Sequence, residues 1–420
     1  MDIASNTAID WIEQAARKAR GASATLAAMP AQERNAALRA AAAALREANA
    51  SIVAANARDL AAFEGSAAFR DRLALTPARV EAMATGLDEI AALPDPLART
   101  LAEWTRPNGL TIRRVAQPIG VIGMIYESRP NVGADAAGLC LKAGSAVILR
   151  GGSDSFHSAR AIQDALATGL ASAGAPVAAI QTPPDTDRAY VAAMLGAAGL
   201  IDMIIPRGGK SLVERVQREA RVPVLAHAEG LCHTYVHAAA DPAMARSIVA
   251  NAKMRRTGVC GATETLLIDA AIAPALLPAL VADLRALGCD FRAGPRARAI
   301  VPDLPAANAE TFDTEWLDAI LSIAVVDDLD HALRHIRAHG SEHTDAIITD
   351  DAAAAARFLN GIGSAVAMWN ASTQFCDGAE FGFGAEIGIA TGRVHARGPV
   401  GLEQLTTFRY HVVGSGQTRP

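Results

Sequence analysis

One cysteine of this 420-residue chain lies in a segment that could support nucleophilic chemistry. Cys260 is part of the small-residue sequence TGVCG and follows the basic sequence KMRR, which runs from Lys253 to Arg256. Nearby positive charge favours the thiolate, which is the nucleophilic form of cysteine. Most cysteines in a reducing compartment are instead small buried hydrophobic residues, and Cys140 in the apolar run AAGLCLKAGSAV fits that description. The loop around Cys260 is polar, so we interpret Cys260 as a candidate nucleophile.

Two similar turns could hold a phosphate. The sequences ILRGGSDSF, from Ile148, and IPRGGKSLV, from Ile205, each lead from an apolar run through Arg-Gly-Gly into a helical stretch. Glycine lets the backbone approach a ligand closely, and a helix amino terminus offers free N–H groups to an anion. One such turn is more often an ordinary chain reversal. Two of them in one predicted sheet favour a dinucleotide site, although the usual G-x-G-x-x-G fingerprint is absent.

Four potential metal ligands occur close together: His227, Cys232, His233 and His237. In a strand, side chains alternate between faces, so Cys232 and His233 would point in opposite directions, and no spacing in this group requires a metal. We therefore predict no metal site. No two carboxylates have a spacing that marks the acid and base of a glycosidase.

The elements that must position these residues follow an α/β pattern. The first hundred residues read as helices, with apolar residues recurring at spacings of three and four. From residue 117 to about 236, the runs IGVIGMIY, SAVILR, AAIQT, LIDMIIP and VPVLAH alternate with alanine-rich helical stretches. This rhythm predicts a parallel sheet, and such sheets bind ligands at the carboxyl ends of their strands. A second α/β region begins with a helix capped by Asp241, and LEQLTTFRYHVV predicts a final strand at a surface.

Composition excludes several classes of protein. With 51% hydrophobic residues, 20% charged residues and a net charge of −5, the chain is globular, and we expect no nucleic-acid partner. No apolar run is long enough for a transmembrane span or a signal peptide, so we expect a soluble cytoplasmic protein without a membrane partner. The 5 cysteines lack CxxC spacing, which argues against disulfides and structural zinc. The length suggests about two or three domains.

Four segments together resemble a known family. They are PIGVIGMIYESRPNV, AVILRGG, NAKMRRTGVCGATETLL and HARGPVGLEQLTTFRY. In this order, and over nearly the whole chain, they are similar to the gamma-glutamyl phosphate reductase (glutamate-5-semialdehyde dehydrogenase) family of the aldehyde dehydrogenase superfamily. The resemblance implies NADPH-dependent reduction of L-glutamyl 5-phosphate to L-glutamate 5-semialdehyde and phosphate through a cysteine thioester, the second step of proline biosynthesis from glutamate.

The resemblance also implies roles for particular residues. Cys260 matches the catalytic nucleophile and Asn131 the amide that binds the oxyanion, while Arg129 is a candidate for binding an anionic group of the substrate. NADPH contacts are expected from Arg150 at the adenosine ribose, from two glycine turns at the phosphates and from Glu315 at the nicotinamide ribose. The turn residues are Gly151, Gly152, Ser153, Pro206, Gly208, Gly209, Lys210 and Ser211.

The implied architecture is an aldehyde-dehydrogenase-like α/β fold with two parallel-sheet domains and a small β arm. We expect a discontinuous NADP-binding domain at 1–99 and 117–236, a catalytic domain at 237–399, and an oligomerisation arm at 100–116 and 400–420. The arm implies a homo-oligomer.

Two alternatives remain open from the sequence. The chain could be an oxidative aldehyde dehydrogenase for another small acidic aldehyde, which phosphate dependence would distinguish. It could also be a catalytically silent scaffold associated with glutamate kinase, although Cys260 and Asn131 are both present.

Overall fold

The computed structural model describes residues 3–127, 129–227 and 229–419 and divides into two compact units. Unit 1 comprises Met1–Ala226, Gly382–Gly388 and Val400–Pro420, and unit 2 comprises His227–Phe381 and Ile389–Pro399. Unit 2 thus begins at His227 rather than at the expected residue 237. Within the described part of the chain, every helix is too short or too polar to span a lipid bilayer.

Unit 1 places helices around a buried parallel sheet and adds a separate antiparallel one. Its helices are α1 (Ile3–Ala28), α2 (Ala31–Glu47), α3 (Asn49–Ala62), α4 (Ala67–Leu73), α5 (Pro77–Ala92), α6 (Asn131–Lys142), α7 (Phe156–Ser172), α8 (Ala189–Gly196) and α9 (Lys210–Glu219). Its strands are β1 (Thr100–Thr105), β2 (Thr111–Pro118), β3 (Val121–Tyr126), β4 (Ala146–Arg150), β5 (Ile180–Gln181), β6 (Met203–Arg207) and β15 (Thr406–Val413).

The central sheet of unit 1 has the order β5-β4-β3-β6, and its strands are parallel. All residues of β3 and β4 are buried, as expected for apolar strands covered on both faces. The alanine-rich helices pack closely on one another. A Cβ at Gly169 of α7 would lie 2.4 Å from the Cα of Ala41 in α2, so only glycine permits this approach.

The predicted strand VPVLAH does not form. Val224 makes only an isolated bridge with Ile204 of β6. Pro223 before this bridge and Pro206 of β6 after it both lack an N–H, so the ladder stops at a single bridge.

The antiparallel sheet of unit 1 has the order β1-β2-β15. It pairs the two segments expected to form the arm, and β15 lies at its edge with mostly exposed side chains. Strand β1, which begins at Thr100, is mostly exposed and lacks the apolar alternation of a buried strand.

Unit 2 contains a second parallel sheet flanked by helices. Its elements are β7 (Cys232–Val236), α10 (Pro242–Met254), β8 (Thr263–Asp269), α11 (Ala273–Ala286), β9 (Asp290–Ala293), α12 (Pro295–Ile300), β10 (Ile320–Val326), α13 (Leu329–His339), β11 (Thr344–Ile348), α14 (Ala352–Gly361), β12 (Val366–Trp369), β13 (Ile389–Ala390) and β14 (Gly398–Pro399).

The strand order of this sheet is β12-β11-β7-β8-β10-β9. Strand β7 pairs with β8 and β11, which explains why the second unit starts before residue 237. Helix α10 begins as predicted, with the Asp241 carboxylate accepting a 2.7 Å hydrogen bond from the Met244 N–H.

Candidate active site

Cys260 lies in the turn between α10 and β8, and its side chain is half-buried. The turn is closed by a 3.0 Å hydrogen bond from the Ala262 N–H to the Val259 carbonyl. The cysteine packs against a small cluster formed by Ala346, Met368, Cys376 and Ile389. It is therefore anchored on one side while remaining partly accessible, which a nucleophile requires.

Cys260 and several polar or small residues near it come from segments that precede a strand of the parallel sheet. Gly230 precedes β7, Cys260 precedes β8, Glu315 precedes β10 and His343 precedes β11. They therefore belong to the amino-terminal edge of this sheet.

Gly230 joins Cys260 to Glu315. A Cβ on Gly230 would lie 2.1 Å from the Cys260 carbonyl oxygen and 2.7 Å from its Cα, so only glycine fits against this turn. The Gly230 N–H donates a 2.8 Å hydrogen bond to Oε1 of Glu315. The predicted nucleophile and the predicted ribose-binding glutamate thus contact the same glycine.

A buried ion pair connects helix α10 and strand β8, the two elements on either side of the Cys260 turn. Nζ of Lys253, near the end of α10, lies 2.6 Å from Oε2 of Glu264 in β8, and both side chains are at most 1% exposed. Burial raises the pKa of Glu264 to about 7, although the Lys253 ammonium acts in the opposite direction. Oε1 of Glu264 accepts a 3.1 Å hydrogen bond from the N–H of Leu317, which holds the loop carrying Glu315.

This pairing changes the role expected for Lys253. The sequence suggested that its charge favours the Cys260 thiolate, but the ammonium is balanced by the Glu264 carboxylate. Arg255 donates a 3.3 Å hydrogen bond to the Gln374 amide oxygen, and Arg256 is exposed. Lys253 therefore supports the turn mechanically rather than supplying an uncompensated charge.

Two histidines lie beside Cys260. The Cys260 sulfur and one ring nitrogen each of His227 and His343 are within 4.8 Å of one another. The imidazole rings are 5.3 Å apart between centroids. His343 was not singled out in the sequence because it is far from Cys260 along the chain, and no local motif marks it.

The other residues of the histidine-rich segment have their own contacts. Cys232 donates a 3.0 Å hydrogen bond to the Cys260 carbonyl, and its sulfur lies 3.5 Å from Nδ1 of His343. Nδ1 of His233 lies 2.9 Å from Oδ1 of Asp345, and Nδ1 of His237 lies 2.8 Å from Oγ1 of Thr349. Of the four residues, only His227 belongs to the group around the Cys260 thiol.

The first Arg-Gly-Gly turn lies at the carboxyl end of β4 in unit 1. Arg150 is 8% exposed, and its guanidinium donates to the carbonyls of Gly151 and Thr186. Burial is the main cause that lowers its pKa. Its Nε is buried without a hydrogen-bond partner among the described residues. Arg150, Gly152 and Ser153 line a cavity of about 640 Å³.

The second turn contributes to the same cavity. Pro206 is buried in β6, Gly208 and Gly209 follow that strand, and Lys210 opens α9. Ser211 lines the cavity. The Gly209 N–H donates a 2.9 Å hydrogen bond to the Glu127 carboxylate, so this backbone donor already holds an anionic group.

Four charged residues of this cavity were not predicted. Glu127, Asp154, Arg188 and Arg215 line it together with Arg150. Arg188 and Arg215 come from separate helical segments, and no motif in the sequence joins them. The cavity, its glycine-rich turns and its three arginines fit a phosphate-bearing nucleotide.

Asn131 and Arg129 lie after β3 in unit 1. Asn131 is the first residue of α6 and donates a 3.2 Å hydrogen bond to Asp135. Burial raises the pKa of Asp135 to about 6, against the opposing effect of that hydrogen bond. Arg129 is exposed. Both belong to a different unit from Cys260 and Glu315.

Comparison with known proteins defines the class. Residues 2–300 match the aldehyde dehydrogenase family, and the chain belongs to that family. Members of the family use a nicotinamide cofactor. An acetylating aldehyde dehydrogenase from Geobacillus thermoglucosidasius, 17% identical, shares the fold with a TM-score of 0.69 over 100% of both chains.

Within the family, the chain is similar to gamma-glutamyl phosphate reductases. It is 72% identical to the protein of that name from Acidiphilium cryptum over 100% of both chains. It is 70% identical to that from Gluconobacter oxydans, over 96% of this chain and 95% of the relative. The crystal structure of the Thermotoga maritima gamma-glutamyl phosphate reductase has a TM-score of 0.95 and 39% identity, over 97% of this chain and 100% of that one. The predicted family and α/β fold are confirmed.

Proposed function

We propose that this protein reduces L-glutamyl 5-phosphate to L-glutamate 5-semialdehyde and phosphate, using NADPH, in proline biosynthesis. The observation that carries the proposal is the accessible Cys260 turn, linked to Glu315 through Gly230, in a chain 72% identical to a gamma-glutamyl phosphate reductase over 100% of its length. A cysteine without such accessibility and without these neighbouring residues would support only a packing role.

Cys260 provides the covalent step. Its thiolate attacks the γ-acyl carbon, the carbon–oxygen bond to phosphate breaks, and phosphate leaves with the bonding electron pair, which produces a thioester. The Cys260 main-chain N–H and the Asn131 amide are assigned to stabilise the tetrahedral oxyanion. After reduction, the thiohemiacetal collapses, releasing the aldehyde and regenerating the thiolate.

NADPH, when bound, supplies the hydride that reduces the thioester. Arg150, Gly151, Gly152 and Ser153 are assigned to the adenosine end, and the segment 206–211 to the phosphates. Glu315 is assigned to the nicotinamide ribose. For that role Glu315 would exchange its hydrogen bond with the Gly230 N–H for a ribose hydroxyl, or share it.

The arginines of the unit 1 cavity support the assignment of NADPH rather than NADH. Arg150, Arg188 and Arg215 all line it, and the buried Nε of Arg150 has no hydrogen-bond partner among the described residues. Guanidinium groups bind phosphate oxygens through paired hydrogen bonds, so this lining suits the 2′-phosphate that distinguishes NADPH.

The remaining assignments concern the substrate and the assembly. Exposed Arg129 is assigned to an anionic group of glutamyl phosphate. Unit 1 would bind the cofactor, and unit 2 would carry the nucleophile. The β1-β2-β15 sheet presents the aromatic residues Trp104, Phe408 and Tyr410 at its exposed surface, which suits an arm that pairs with another copy in a cytoplasmic homo-oligomer.

The test is the reverse reaction, NADP reduction with the semialdehyde and phosphate. Cys260→Ala should abolish it, whereas Cys289→Ala should retain it, because Cys289 is buried in a core cluster and burial raises its pKa to about 12. Substantial phosphate-dependent activity in Cys260→Ala would refute the covalent route. Turnover independent of phosphate in the parent protein would instead identify an oxidative aldehyde dehydrogenase.

A scaffold without catalysis would give no turnover in the parent protein. Stoichiometric alkylation of Cys260, with protection by the substrate, would argue against that alternative. Association with glutamate kinase is tested separately by co-purification of the two proteins.

A further inference from the structure

Three side chains that can bind a metal converge at the Cys260 turn, one thiol and two imidazoles. The sulfur of Cys260 and one ring nitrogen each of His227 and His343 lie within 4.8 Å of one another. The reaction proposed above uses the sulfur and needs neither imidazole. Two histidines at this distance from one thiol therefore call for a separate explanation.

The tautomer of His227 is fixed by its hydrogen bond. Its Nδ1 lies 2.6 Å from the carbonyl oxygen of Ile389. A carbonyl oxygen can only accept, so Nδ1 carries the proton and, in the neutral ring, Nε2 keeps its lone pair. This is the arrangement in which a histidine binds a metal through Nε2 while its other nitrogen is held by an oxygen acceptor.

His343 also has its Nδ1 engaged within the fold. That atom lies 2.9 Å from Oγ1 of Thr344 and 3.5 Å from Sγ of Cys232, while Nε2 is buried without a hydrogen-bond partner in the part of the chain that the structure describes. The residue is 0% exposed. Burial lowers the pKa of His343 to about 3, so the ring is neutral at physiological pH. When Nδ1 donates to the Thr344 hydroxyl oxygen, Nε2 keeps its lone pair; a buried polar atom without a partner is costly, and a bound cation would satisfy it.

We propose that Cys260, His227 and His343 bind a thiophilic divalent cation of the zinc class, and that this binding blocks the nucleophile. One thiolate and two imidazoles are donors that zinc prefers, and water would complete a tetrahedral set. Tetrahedral bond lengths place the donor atoms about 3.3 to 3.6 Å apart, so donors that now lie within 4.8 Å of one another need to approach by at most about 1.5 Å.

Two oriented imidazoles favour this role over proton transfer alone. A base that accepts the thiol proton needs one lone pair within reach of the sulfur. Here two rings, from segments 227 and 343, each have Nδ1 facing an oxygen atom. The metal site itself is independent of the proposed reaction, whereas the blocking effect rests on the assignment of Cys260 as its nucleophile.

The test is a titration of the full-length protein, freed of metal by a chelator and desalted, with Co²⁺ as a spectroscopic probe and Zn²⁺ in calorimetry. We expect one cation per chain and a near-ultraviolet thiolate-to-cobalt band. Cys260→Ser should lose that band. His343→Gln should weaken Zn²⁺ binding at least about tenfold, since even partners of metal ligands contribute that much.

His335→Gln is the matched control. His335 is also largely buried with Nε2 unpartnered among the described residues, and burial lowers its pKa to about 3, but it packs on Phe312 instead of Cys260. This variant should bind Zn²⁺ like the parent. His227→Gln gives a second ligand test if His343→Gln unfolds, and thermal denaturation checks the folding of each variant.

Several results would overturn the proposal. They are no cobalt band in the parent, a band retained in Cys260→Ser, or equal Zn²⁺ affinity in the ligand variants and His335→Gln. Inhibition of NADP reduction should follow the Zn²⁺ binding curve. Binding that leaves activity unchanged would overturn the blocking effect and contradict the nucleophilic role of Cys260, while the cation site itself would stand.

Discussion

Replacing Gly230 by alanine tests whether the close contact with the Cys260 turn matters for catalysis. The new Cβ would lie 2.1 Å from the Cys260 carbonyl oxygen and 2.7 Å from its carbonyl carbon. Both contacts involve main-chain atoms, so no side chain can rotate away to relieve them. The turn or the segment before β7 has to move.

The required movement sets the size of the effect. Real Cβ contacts essentially never fall below 3.0 Å, so the atoms must separate by nearly 1 Å. Misplacement of a reacting group by about 1 Å can reduce the rate by about a hundredfold. The same shift displaces the Gly230 N–H that donates to Glu315. We therefore expect kcat for Gly230→Ala to fall roughly a hundredfold.

The assay is steady-state NADP reduction with semialdehyde and phosphate at saturating substrate, together with thermal denaturation to confirm folding. Gly258→Ala is the matched control in the same turn, because its Cβ would meet nothing closer than the Leu317 carbonyl oxygen at 3.7 Å. That variant should stay within a few-fold of the parent. The reasoning fails if folded Gly230→Ala keeps the parental kcat, or if Gly258→Ala loses as much.

Three further predictions concern the ion pair, the cofactor cavity and pH. Lys253→Met should lower the free energy of unfolding, measured by urea titration, by roughly 3–5 kcal/mol, because the buried Glu264 carboxylate loses its partner. The double variant Lys253→Met/Glu264→Leu should recover most of that loss. Arg188→Ala should raise KM for NADPH about tenfold or more while leaving KM for NADH unchanged; equal effects on both cofactors would contradict a 2′-phosphate contact. The raised pKa of Asp135 means that its stabilising contribution is complete below the ordinary carboxyl pKa and is lost as pH rises through about 6. Unfolding free energies measured across this range should therefore rise for Asp135→Asn relative to the parent, and a constant difference would show that Asp135 titrates normally.

The buried strands of unit 1 could be predicted because their sequences are distinctive. VIGMIY in β3 and AVILR in β4 are continuous apolar runs between turns, which is the pattern of a parallel sheet covered on both faces. The exposed strand β1 has no such pattern, since its stability comes from pairing with β2. The segment of β7 was assigned to the first domain because it follows the strands of that domain closely along the chain. Proximity in sequence does not determine which sheet a strand joins, and β7 pairs with β8.

The site around Cys260 was only partly predictable, for a similar reason. The small-residue loop indicated Cys260, and the family resemblance indicated Glu315. Gly230 and His343 carry no local signal, because their importance lies in contacts between segments far apart in sequence. The basic sequence before Cys260 even pointed to the wrong function for Lys253, whose charge faces Glu264 from the next strand.

The buried pair of Lys253 and Glu264 also constrains how this protein can evolve. Each single replacement leaves one buried charge unpaired, at a cost that is a large fraction of the roughly 5–15 kcal/mol by which folded proteins are stable. A lineage could reach an equally stable apolar pair only by crossing a poorly folded intermediate or by changing both codons together. The two positions are therefore expected to persist jointly or to disappear jointly, whatever happens to the substrate.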